Sequence, residues 1–150
     1  MANTSPIFPV TPTIQIASLI AATAAVSRAP VASASLGGTP SYAIQIGGVA
    51  GASGRRIDRI QVKSAQGTNL TGITTACTVI IWYDDLTTGY PIAEILCPAV
   101  SPTTAVASLD VSQTFANLIL PAGTKLWAST TIVGAAAAHA LVVYAYGGDY

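Results

Sequence analysis

Thr75-Ala76-Cys77-Thr78-Val79-Ile80-Ile81-Trp82-Tyr83 and Tyr90-Pro91-Ile92-Ala93-Glu94-Ile95-Leu96 are two apolar runs joined by Asp84-Asp85-Leu86-Thr87-Thr88-Gly89. β-Branched and aromatic residues suit a pleated, packed surface, and a short Asp- and Gly-bearing link between two such runs reads as a hairpin. The adjacent acids read as turn chemistry, because an Asp carboxylate bonds the backbone two residues on. A calcium site there would need more oxygen ligands at alternating spacing. In the first run both parities are apolar, with Cys77, Val79 and Ile81 on one side and Ile80 and Trp82 on the other. Such a strand needs cover on both faces, whereas a two-layer sandwich covers only one. The second cover is expected to come from another copy of the chain.

The same pattern continues on either side of this hairpin. Thr13–Ala17, Tyr42–Ile46, Arg56–Lys63, Val111–Leu120, Thr124–Val133 and Ala138–Tyr146 are further strand candidates, for a total of eight. Ala138–Tyr146 is also apolar on both parities. Turn signals divide the runs: Gly47-Gly48 through Gly54, Gly67-Thr68-Asn69, Pro98–Thr104 and Pro121-Ala122-Gly123. Eight short strands at this spacing predict an all-β chain forming a single β-sandwich of jelly-roll type over residues 13–150. Residues 1–12 carry Pro6, Pro9 and Pro12, which bar a helix or a central strand, so they read as an extended arm with apolar Ile7, Phe8 and Val10 available to dock on a neighbour. Ala-rich Ser18–Val26 has some helical character. Arg28–Thr39 reads as a loop.

Composition limits the function classes. Of 150 residues, 51% are hydrophobic and 8% charged, with six basic and six acidic side chains and a net charge of zero. Soluble domains average about 25% charged residues, so much of this surface is expected to meet protein rather than water. Ile14–Val26 and Ile132–Tyr146 are each shorter than the roughly 18–20 apolar residues of a membrane span, and both are interrupted by polar residues or Gly. The opening residues lack a basic signal-peptide region. No membrane association is expected.

Chemistry-bearing motifs are sparse. The single histidine, His139, has no sequence neighbour able to orient it. Cys77 and Cys97 lack metal-ligand spacing and read as buried reduced thiols, with a disulfide between them as the lesser alternative. The Gly47–Gly54 stretch lacks the Gly-Lys-Ser/Thr ending of a phosphate loop. No catalytic residue, cofactor or metal is expected. Four of the six basic residues, Arg55, Arg56, Arg59 and Lys63, fall within nine positions. Strict alternation puts Ile57, Arg59, Gln61 and Lys63 on one face and Arg56, Asp58, Ile60 and Val62 on the other. With a pI near 6.5, this stripe favours an acidic protein surface over nucleic acid.

Three stretches together resemble a known group: Asn3-Thr4-Ser5-Pro6-Ile7-Phe8-Pro9-Val10-Thr11-Pro12, Gly54-Arg55-Arg56-Ile57-Asp58-Arg59-Ile60-Gln61-Val62-Lys63 and Gly147-Gly148-Asp149-Tyr150. The set is similar to small virion proteins of tailed bacteriophages that decorate or cement capsids. The resemblance implies a β-sandwich, often trimeric, sitting on the capsid surface and tying together copies of the major capsid protein, after assembly in the host cytoplasm. The contact residues expected are Ile7, Phe8, Val10, Arg55, Arg56, Arg59, Lys63 and Tyr150. A tail, neck or head-fibre component is the nearest alternative. A carbohydrate- or receptor-binding sandwich is the next, for which Tyr90 is the loop aromatic available.

Overall fold

The computed structural model describes residues 11–19, 28–38, 43–64, 75–103, 105–131 and 141–150. Strand β1 spans Thr11–Ser18, β2 Val31–Ala32, β3 Ala43–Gln45, β4 Arg55–Ser64, β5 Cys77–Asp84, β6 Thr88–Cys97, β7 Asp110–Leu120, β8 Lys125–Thr130 and β9 Leu141–Asp149; a single helical turn, α1, covers Ser33–Leu36. A four-stranded sheet has the order β1-β9-β4-β7 and a five-stranded sheet the order β2-β6-β5-β8-β3. Every pairing is antiparallel. The chain is an all-β sandwich.

The core lies between the sheets. Ile57, Ile60 and Val62 of β4 and Leu141, Val143 and Ala145 of β9 meet Val79 and Ile81 of β5, Ile95 of β6, and Leu126 and Ala128 of β8. All eight strands read from the sequence are present, with ends shifted by at most three residues. β1 starts at Thr11, so Thr11 and Pro12 of the expected arm already pair with β9. Pro12 is tolerated because β1 is an edge strand, where a missing N–H can face outward. The remainder of the arm, including Ile7, Phe8 and Val10, lies outside the described residues, as do His139, the Gly67-Thr68-Asn69 turn and most of the Ala-rich run.

Two expectations are corrected. Arg28–Thr39 is more than a loop: β2 pairs with the start of β6, and α1 lays Leu36 over the outer face of the five-stranded sheet. There Leu36, Val31, Ala43 and Trp127 enclose Ile80 and Trp82. The second cover that β5 requires is therefore supplied by the chain's own strap, not by another copy. The strap is held by polar contacts: Ser33 donates its hydroxyl to Asp84 Oδ2 at 2.9 Å and its N–H to the Thr87 carbonyl at 2.9 Å, and Arg28 lies 3.4 Å from Glu94.

The alternation of β4 also departs from the one expected. A bulge at Asp58 shifts its register against both neighbours between Ile57 and Arg59. An inserted residue reverses the alternation beyond it. Ile57 consequently faces the core with Ile60 and Val62, while Arg56, Arg59, Gln61 and Lys63 are only half-buried. The bulge also explains Gly147, whose Cα sits so close to the Arg56 carbonyl oxygen that a Cβ would overlap it.

Candidate protein interface on the four-stranded sheet

The basic cluster divides in two. Arg55 is 5% exposed, at the end of β4, and faces Asp149 directly in the β4–β9 register. Its Nε donates to Asp149 Oδ1 at 2.7 Å and its Nη2 to Oδ2 at 3.1 Å; Nη1 and Nη2 also reach the Gly48 and Val49 carbonyls at 3.0 and 3.2 Å. The forked guanidinium thus clamps the last strand to the β3–β4 loop. The Arg55 hydrogen bonds, ahead of its charge, hold the Asp149 carboxyl below the usual carboxylate range. Tyr150 follows at once and donates its N–H to the Gly54 carbonyl at 3.2 Å. Arg55 and Tyr150 are thereby brought together, but in a clasp within the chain that leaves the Arg55 guanidinium out of the expected stripe.

Arg56, Arg59 and Lys63 share the outer face of the four-stranded sheet, each with an intramolecular partner. Arg56 Nε lies 2.7 Å from Asp58 Oδ1, and Lys63 Nζ lies 3.2 Å from Asp110 Oδ2 across the β4–β7 pair. The Arg59 guanidinium sits 4.2 Å from the centroid of the Tyr146 ring. Tyr146 donates its hydroxyl to Gln61 Oε1 at 2.7 Å, and Gln61 Nε2 donates to Asp110 Oδ1 at 2.6 Å. One polar chain therefore runs across three strands. Gln61 first, and Lys63 after it, keep the Asp110 carboxyl below its ordinary range.

Beside this network the same face turns apolar. The register places Ile14 next to Tyr146, Ile16 next to Tyr144 and Ser18 next to Val142. Ile14 is 59% exposed and Ile16 55%, and no described segment lies over them. Reading the sequence missed these two isoleucines as surface groups, although Thr13–Ala17 was recognised as a strand. The signal was the alternation itself: with Ala17 in the core, Ile14 and Ile16 must point the other way.

The Asp84–Asp85 link behaves as turn chemistry, with Asp84 Oδ1 accepting from Leu86 N at 2.8 Å and Asp85 Oδ1 from Thr87 and Thr88 N at 2.9 and 2.7 Å. Asp84 has a second role that the sequence did not disclose. Its Oδ2 also accepts from Trp127 Nε1 at 3.0 Å, so it joins the strap, the turn and β8. Among the described residues no three His, Cys, Asp or Glu side chains gather as metal ligands, and no helix is long and apolar enough to cross a membrane. Comparison with protein-family models, curated proteins and solved structures finds no match to the chain.

Proposed function

We propose that this protein is a non-enzymatic structural component of a tailed-phage virion, a decoration protein that packs as a homo-oligomer, a trimer by resemblance, on the capsid surface. The observation that carries this reading is the outer face of the four-stranded sheet, over which no described segment lies. Ile14 and Ile16 are more than half exposed there, beside Tyr144, Tyr146 and the Arg59 guanidinium that lies over the Tyr146 ring. The solvent face of an antiparallel sheet is normally polar. Tyr and Arg set among aliphatic groups are instead the composition of interface hot spots. The chain covers the opposite outer face with its own strap, so the apolar character of this one calls for a different partner.

Strand order supports a jelly-roll reading of the sandwich. Apart from the β5–β6 hairpin, successive strands from β3 to β9 alternate between the two sheets. Jelly rolls recur in viral capsid proteins and also in lectins. Electron microscopy of purified particles labelled with an antibody to this chain tests the proposal. Label spread over the head supports decoration, label confined to the tail axis favours a tail or neck part, and particles without label refute the virion assignment.

A further inference from the structure

Cys77 opens β5, Cys97 closes β6, and the two stand directly opposite each other in the antiparallel register. Opposed residues on neighbouring antiparallel strands are about 4.5–5.5 Å apart at Cα, inside the roughly 4.4–6.8 Å span of disulfides. Both side chains enter the layer between the sheets, Cys77 being 4% exposed and Cys97 0%. Both are free thiols. The Cys97 thiol proton has two acceptors within reach, the Cys77 sulfur and the Ile95 carbonyl oxygen at 3.6 Å.

We propose that Cys77 and Cys97 form an oxidative modification site, at which a small peroxide-class oxidant converts the facing thiols into a cross-strand disulfide. This goes beyond the virion role and does not depend on it. The Cys77 thiolate attacks one peroxide oxygen, the O–O bond breaks, and the departing hydroxide takes up a proton to leave as water, giving a sulfenic acid at Cys77. The Cys97 sulfur then attacks the Cys77 sulfur; the S–S bond forms, the S–O bond breaks, and the hydroxyl leaves with the Cys97 proton as a second water. Two thiols are oxidised by two electrons, and one hydrogen peroxide is reduced to two waters.

The surroundings set the order of events. Hydrogen bonding from Cys97, with a smaller contribution from Thr130, lowers the Cys77 thiol to about 7 against the opposition of burial. The facing Cys77, and then burial, push the Cys97 thiol up. Cys77 is thus the attacking sulfur and Cys97 the resolving one. Their position at one end of the β5–β6 ladder lets fraying of that end, rather than global unfolding, admit a small oxidant. The opposite end of the hairpin is held by the Asp84–Asp85 turn, so the disulfide closes the hairpin into a ring.

The test treats the full-length, fully reduced protein with dilute hydrogen peroxide and reads intact mass, peptide maps and thiol titration. The expected product is a single chain lighter by two hydrogens, with both thiols lost together, restored by dithiothreitol, and with a raised thermal midpoint. Cys97→Ala should accumulate oxygen on Cys77. Cys77→Ala, which lacks the attacking sulfur, should give no chain lighter by two hydrogens. Oxygen adducts on either cysteine of the unsubstituted chain, disulfides between chains, or two thiols still free after exposure would each overturn the proposal. The unsubstituted chain decides the matter even if an alanine variant fails to fold.

Discussion

Arg55 and Asp149 illustrate how little of a charged residue's role is written at its own position. A guanidinium with a 6% exposed side chain is tolerable because two carboxylate oxygens and two carbonyls take its donors. Removing the carboxylate leaves a buried charge with half its partners. Asp149→Ala is expected to cost about 3 kcal/mol in denaturant unfolding, the low end for a broken buried pair because Asp149 keeps some exposure. The carboxyl is held below its ordinary value, so its stabilisation is complete above the unfolded value of about 3.9. It fades as pH falls through the lower folded value. Below about pH 4 the gap between the native chain and Asp149→Ala should therefore narrow, as measured by urea midpoints across pH. Gly147→Ala is a second residue-scale case. Its Cβ would overlap the Arg56 carbonyl oxygen, part of a paired strand that cannot yield easily, and a loss of about 3 kcal/mol is expected. A thermal midpoint unchanged from the native chain would show that the bulge at Asp58 relaxes to accept a side chain.

Among the elements, the strap of β2 and α1 turns on one carboxylate. Asp84 is fully buried and accepts from Ser33, Leu86 and Trp127. Asp84→Asn preserves shape but sets an amide donor against donors, so at least one buried group loses its partner. A cost of about 1.5–3 kcal/mol is expected, the range for hydrogen bonds to charged groups. The loss should show as faster hydrogen exchange at Val31–Leu36 and on Trp127 Nε1, with β4 and β9 less affected. Uniform acceleration across both sheets would mean that the strap is not a separable unit. Gly89 belongs to the same arrangement, since a Cβ there would overlap Leu36.

For the whole molecule, the balance of charge and uncovered apolar surface predicts self-association. A chain with no net charge that leaves Ile14 and Ile16 exposed beside Tyr144 and Tyr146 should be larger than a monomer in light scattering at micromolar concentration. Replacing both isoleucines by serine should shift the species toward monomer while changing the unfolding midpoint little, because neither side chain is in the core. A native chain that is monomeric at these concentrations would remove self-association from the functional reading. On the proposed virion role, Arg59→Ala should weaken attachment to particles without unfolding the sandwich, whereas Arg55→Ala should lower the unfolding midpoint. The two arginines were one stripe in the sequence and are two different devices in the fold.

The features legible along the chain were short-range: β-branched and aromatic runs, Gly- and Asp-bearing turns, the carboxylates that cap the β5–β6 turn, and a low charge content. These follow from period-two alternation and from hydrogen bonds spanning two or three residues, both of which are legible in order along the chain. The assembled fold set which face each basic residue took, because one bulge at Asp58 reversed the alternation of β4. It also decided that the second cover of Trp82 is the chain's own strap, that Arg55 meets a carboxylate 94 residues away, and that Cys77 faces Cys97. Each of these depends on register between strands distant in sequence or on a fold-back of the chain, and a single inserted residue shifts either without altering the local pattern.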